Sequence, residues 1–124
     1  MEVTWRMSCA DLYRSVILQA LKDAVADVPL PLPVDPPPGF RWKQTKHVPT
    51  TESAWRKRRQ GNAVRIAEVR EARDGARRWL TGWSDDFVDV CRAAEVDPAS
   101  VRARALALEA AGWPAEEVAE DVAA

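Results

Sequence analysis

Apolar residues recur three and four positions apart near the start of the chain: Leu12, Tyr13, Val16, Ile17, Ala20, Leu21 and Ala24 share one helical face. Arg14, Lys22, Asp23 and Asp27 fall mainly on the other side. With Ser8 as N-cap, the spacing predicts an amphipathic helix from Ser8 to about Asp27. A second helical period starts at Thr50 or Thr51, with Gly61-Asn62 as a candidate interruption. Its face from Ala63 to Leu80 holds Ile66, Val69, Ala72 or Arg73, Ala76, Trp79 and Leu80, with Trp83 beyond. Ser84, followed by Asp85 and Asp86, caps a third helix carrying Phe87, Val90, Cys91 and Ala94. Asp97 as N-cap and Pro98 at the first helical position open a fourth, striped by Val101, Ala105 and Leu108. Gly112 ends it as a C′ glycine. Pro114 then opens a short acidic helix with Val118 and Val122, marginal by itself.

The fold class predicted is therefore all-α: a small helical domain with an N-terminal helix, a Pro-rich linker and a helix-turn-helix-like three-helix core. The divisions are residues 1–27, a Pro-rich and basic linker 28–50, a helical core 51–112 with the helix-turn-helix segment at 84–110, and an acidic tail helix 113–124. The linker holds six prolines between Pro29 and Pro38, which exclude helix and central strand and favour extended polyproline II. It reads as a semi-rigid spacer, with a Pro-rich ligand for an aromatic groove as the alternative. Leu30 and Leu32 alternate along it and suit packing on the domain surface.

The run VCRAAEVDPASVRAR carries the features of a close helix pair. Ala93 and Ala94 are small enough for a second helix to cross, Val96 suits the apolar plug of the turn, and Val101 suits the buried position after it. The run resembles the DNA-binding helix-turn-helix of bacterial and phage regulators. Glu95 stands where such turns carry glycine, so a left-handed backbone there is strained by about 1 kcal/mol. The alternatives are a different turn or a purely structural three-helix core.

Charge sharpens the functional reading. The net charge of −1 over 124 residues hides a strong asymmetry. Residues 41–80 carry 12 Lys/Arg and 4 Asp/Glu, net +8, whereas 81–124 carry 3 and 10, net −7. A basic stretch beside an acidic tail suits a polyanion-binding surface whose tail competes with the ligand, or two segments that attract each other. Glu68, Glu71 and Asp74 lie within three or four residues of arginines, so part of the charge between Arg65 and Arg78 is expected to pair internally. The cluster Arg56-Lys57-Arg58-Arg59 has only Glu52 nearby.

Catalysis and cofactors find little support: there is no phosphate-binding loop, no metal-ligand spacing of Cys9, Cys91 and the single His47, and no nucleophile constellation. The expectation is a non-enzymatic protein with no cofactor and no metal. The two cysteines suggest free buried thiols rather than a disulfide. No apolar run approaches membrane length and no signal peptide opens the chain, so no membrane partner and a cytoplasmic location are expected. Six tryptophans are many for this length. Trp79 and Trp83 fall on the apolar face, whereas Trp5, Trp42, Trp55 and Trp113 lie near segment ends and suit domain closure or a partner surface.

Two blocks, LYRSVILQALKDA (Leu12 to Ala24) and ARRWLTGWSDDFVDVCRAAEVDPASVR (Ala76 to Arg102), together resemble a group of small helical proteins of phages, prophages and gene-transfer-agent-like elements. Those show an N-terminal "Gln-Ala-Leu, Asp-Ala" helix, an "Ala-Arg-x-Trp" segment, and then "Asp-Phe, Val-Cys, Ala-Gly, Asp-Pro, Val-Arg". Trp79, Phe87, Cys91, Asp97-Pro98 and Val101 fall in place; Glu95 replaces the glycine. The blocks cover about a third of the chain. The resemblance implies a setting in phage DNA metabolism, as a transcriptional regulator or as the DNA-recognition part of a small terminase.

The expected function is DNA binding by the helix-turn-helix. Ala99, Ser100, Arg102 and Ala103 are the candidate base contacts, with Arg102 suited to guanine. Arg56, Lys57, Arg58, Arg59, Arg77 and Arg78 are the candidate phosphate contacts. Trp42, Trp55 and Trp113 are the candidate interaction surface. Further expected partners are a second copy of the chain or a phage or host protein, and the alternative function is a packaging adaptor or a helical interaction module.

Overall fold

The computed structural model describes residues 8–41 and 50–123, the side chains of 120, 122 and 123 excepted. Five helices and no strand occur among them: α1 (Cys9–Ala24), α2 (Thr51–Thr81), α3 (Asp85–Ala93), α4 (Pro98–Ala110) and α5 (Ala115–Ala123). The all-α prediction holds. The chain forms two compact units, the described part of 27–71 and that of 1–26 with 72–124, and helix α2 contributes to both. The grouping thus differs from the sequence divisions, because α1 packs on α3 and α5 rather than standing apart.

Local signals set the helix starts. The Ser8 hydroxyl accepts from the Asp11 amide at 3.1 Å, Ser84 from Phe87 at 3.1 Å, and Asp97 from Ala99 at 3.4 Å. Helix α1 ends at Ala24, three residues short of the expected Asp27. Helix α2 runs unbroken through Gly61 and Asn62. Its continuity there has a tertiary cause: the Asn62 amide, which would otherwise compete with the helix backbone, is taken up by hydrogen bonds to the Pro-rich segment.

In the 1–26/72–124 unit, Ile17, Leu21 and Ala24 of α1 are buried with Leu80, Phe87, Cys91, Ala94, Ala105, Leu108 and Val118. Helix α3 packs on α4. Ala94 and Ala105 are fully buried, and a methyl at each position lets backbones approach closely. The N-terminal half of the predicted α1 stripe behaves otherwise: Leu12, Tyr13 and Val16 are exposed. Trp83 is also 46% exposed rather than core. It follows Gly82, where a Cβ would come within 2.7 Å of the Arg78 carbonyl oxygen, so only glycine fits as the chain leaves α2.

The turn between α3 and α4 takes the glycine geometry without the glycine. Glu95 has φ 59°, its amide donates to the Arg92 carbonyl at 3.0 Å, and the Val96 amide donates to Cys91 at 3.0 Å. This is a Schellman closure with Glu95 at C′ and Val96 packed against the core. The same closure ends α4, where Gly112 has φ 82° and the Trp113 amide reaches the Leu108 carbonyl at 2.7 Å. Glu95→Gly is therefore expected to stabilise the fold by about 1 kcal/mol, because it removes the Cβ strain and sacrifices only an exposed 3.8 Å pairing with Arg14. Urea denaturation reads this as a higher midpoint; a lower one would mean that the glutamate contributes more than its strain.

Candidate nucleic-acid interface

Thr50 opens helix α2, its hydroxyl accepting from the Ser53 amide at 3.0 Å. One turn on come Arg56, Lys57, Arg58 and Arg59. Successive helical residues are rotated by about 100°, so four in a row fan around the helix. Arg56 pairs with Glu52 at 3.6 Å, with both side chains well exposed, a contact of little strength. Lys57 and Arg58 are exposed, Arg59 is half-buried, and none of these three makes an ion pair among the described residues. The internal pairing expected between Arg65 and Arg78 is confined to Arg73 with Asp74 at 3.0 Å. Arg65 and Arg70 stay exposed and unpaired among the described residues, so the basic character of this helix is larger than the sequence suggested.

The Pro-rich segment is not a free spacer. The Leu32 amide donates to Asn62 Oδ1 at 3.1 Å, and Asn62 Nδ2 donates to the Leu30 carbonyl at 3.4 Å. Further along, Trp55 Nε1 lies 3.1 Å from the Pro33 oxygen and 3.2 Å from that of Val34. The segment thus straps along α2 antiparallel to it, and Phe40 packs edge-on against Trp55 at 5.0 Å. Leu32 is half-buried whereas Leu30 is exposed, so only one of the two leucines packs. Trp55, a predicted interaction residue, is buried and hydrogen-bonded beneath this strap and presents no partner surface.

In the other unit the arginines serve a purpose that the sequence reading missed. Arg14 Nε donates to the Ala94 carbonyl at 3.0 Å, Arg77 Nε to Ala24 at 2.8 Å, and Arg102 Nε to Thr81 at 3.0 Å. Each acceptor lies at the C-terminal end of a helix (α3, α1 and α2 respectively), where carbonyls lack intrahelical partners and negative partial charge collects. Three helix ends are thus closed by cations from elsewhere in the fold. Arg77 also lies 5.1 Å over the Trp113 ring. Burial, then the neighbouring Arg73, lowers its pKa, while Asp74 and Glu109 oppose the shift. Arg77, predicted to hold phosphate, is instead committed to the fold, and Trp113 is half-buried under it rather than free for a partner. Arg78 is exposed.

On α4, Ala99, Ser100 and Ala103 are exposed, and the Ser100 hydroxyl donates to Asp97 Oδ2 at 2.8 Å. Arg102 is half-buried by its bond to Thr81, although its two terminal nitrogens have no partner among the described residues. Arg104 is consumed by Asp121 at 3.0 Å and Glu117 at 3.2 Å, and the Asp121 hydrogen bond is the main cause of its raised pKa. Trp83, Ala99, Arg102, Ala103 and Leu106 line a shallow, largely apolar groove of about 510 Å³.

Cys9 and Cys91 are free thiols, Cys9 exposed and Cys91 buried; burial, with Asp97 nearby, pushes the Cys91 pKa up and keeps it a thiol. Among the described residues no cluster of three or more His, Cys, Asp or Glu side chains is placed to hold a metal, and no helix is long and apolar enough to cross a membrane. Trp42 and His47 lie outside the described residues, as do Trp5 and the side chain of Val122. Comparison of the chain with family models, with curated proteins and with solved structures gives no match.

Proposed function

We propose that the protein is a non-enzymatic DNA-binding protein of the phage type, acting as a transcriptional regulator. The observation that carries the reading is the Arg56–Arg59 turn of α2, four consecutive cations with a single weak ion pair to the described residues. Such a turn binds phosphates through counterion release, without sequence preference. Reading of bases falls to the start of α4, where Ala99 and Ala103 allow close approach and the two terminal nitrogens of Arg102 have no partner among the described residues. The test is fluorescence anisotropy of phage-derived and random duplexes. Arg102→Ala is expected to weaken binding to the preferred duplex by about tenfold or more, the worth of one good base contact, and random-duplex binding by much less. Equal loss on both duplexes would remove α4 as the reading helix.

The groove on α4 favours a second reading, a helical interaction module or packaging adaptor. Trp83 and Leu106 are its large apolar residues, at 46% and 37% exposure, and a Trp–Leu groove suits a protein helix as well as a nucleic acid. Loss of all duplex binding at low salt would turn the assignment to that reading.

A further inference from the structure

We infer that the groove between the Pro-rich strap and helix α2 is a site for an unpaired nucleotide, phosphate and base together. The inference rests on the reading of α2 as a phosphate-binding helix and names the form of nucleic acid it takes. The groove measures about 520 Å³, within the usual range of small-molecule sites. Three guanidiniums line it: Arg56, Arg59 and Arg70. They stand three and eleven residues apart, so they fall along one side of the helix. Arg59 and Arg70 carry no ion pair among the described residues, and the exposed 3.6 Å contact of Arg56 with Glu52 is readily exchanged for a phosphate.

Cations alone would make a general polyanion surface. Beside the arginines the groove has an apolar part, with Pro31 and Leu32 on the strap and Ala63 and Ile66 on the helix, and two amides, Gln60 and Asn62. A duplex keeps its bases stacked inside and offers such a surface only its phosphates. An unpaired nucleotide can bury a base face against Pro31 and Leu32 while its phosphate meets the arginines, with aliphatic side chains in place of the aromatic platforms that single-strand sites commonly use. Gln60, an exposed residue of the lining, supplies an amide for a base edge. The strap is held in place from below by Asn62 and Trp55, so the apolar wall is formed before any ligand arrives. The same chemistry is met by a free nucleoside monophosphate and by a nucleotide within a single strand.

The test uses the full chain with a labelled thymidine dodecamer, a duplex of equal length, and unlabelled thymidine monophosphate and inorganic phosphate as competitors. Charge density alone favours the duplex, so tighter binding of the single strand is diagnostic. We expect the single strand to bind about tenfold tighter, from burial of one base face on the apolar wall. Thymidine monophosphate should compete at concentrations where phosphate does not. The double change Arg59→Gln, Arg70→Gln should weaken single-strand binding about a hundredfold, from two charged contacts of about tenfold each. The control Lys57→Gln, Arg58→Gln, outside the groove, should weaken the duplex more than the single strand. Circular dichroism of both variants checks that helix content is kept. Equal competition by nucleotide and phosphate, or equal losses in the two variants, would overturn the groove while leaving a phosphate-binding helix. Absence of binding to either nucleic acid would overturn that reading too. Direct binding of the monophosphate separates a free-nucleotide site from one that needs a strand.

Discussion

Phe87→Ala is expected to destabilise the protein by about 3–5 kcal/mol, a large part of the total for a chain of this size. Phe87 is fully buried, and its ring is met edge-on by Trp79 at 5.1 Å and tilted by Trp83 at 6.0 Å. Leu80, Cys91 and Leu108 belong to the same buried cluster. Truncation removes the transfer energy of the ring and leaves a hole whose walls belong to different helices. Those walls cannot all move inward, since their ends are closed by Arg14, Arg77 and Arg102. Trp79 is fixed further by its Nε1 donating to Asp86 at 2.8 Å. Urea unfolding followed by tryptophan fluorescence should show a lower midpoint with an unchanged m-value. Phe87→Leu, which keeps most of the volume, should lose only about 1–2 kcal/mol. A loss below about 1 kcal/mol for the alanine variant would mean that the site can collapse and that Phe87 is not the centre of the unit.

The second large effect concerns binding. Replacing Arg56, Lys57, Arg58 and Arg59 together by glutamine is expected to weaken duplex affinity about a hundredfold at 0.1 M salt and to flatten the salt slope by about 2–3. The figure is below four contacts because the residues fan around α2, and one duplex meets two or three of them at once. Among the described residues only Arg56 has a carboxylate partner, so the others bring their full charge to the contact. Stability should barely change, since three of the four side chains are exposed and glutamine keeps helix propensity. Unchanged duplex affinity in this variant would disprove the electrostatic assignment.

Most of the helices were legible because their signals are local. Ser8, Ser84 and Asp97-Pro98 cap the helices they were expected to cap, and Gly112 closes α4 in the left-handed conformation glycine tolerates. The Glu95 turn was only half legible: its place was clear, but the missing glycine pointed to a different turn, whereas Glu95 takes the left-handed conformation itself. What escaped was what depends on distance along the chain. The helix-closing bonds of Arg14, Arg77 and Arg102 join residues 80, 53 and 21 apart, and nothing near those arginines distinguishes them from solvated ones. Gly61-Asn62 looked like a break because its cost is local, whereas the strap that uses Asn62 lies thirty residues earlier. For the same reason Trp55 looked available when it is buried, and the strap looked like a spacer. The exposed half of α1, Leu12, Tyr13 and Val16, shows the limit from the other side: helical spacing marks a face as apolar without saying that anything covers it.

These corrections move the weight of the candidate interface. Of the predicted base and phosphate contacts, Arg77 is spent on the fold and Arg102 half spent, while the cluster on α2 keeps, among the described residues, the one Glu52 pairing that the sequence allowed. The measurement that tests this most directly is the affinity of the intact protein for a duplex across a salt series. A log–log slope of about −2 to −3, from two or three released counterion contacts, is the result expected of the α2 turn. A flat dependence, or no binding at the lowest salt, would contradict it and leave the apolar groove on α4 as the surface to pursue.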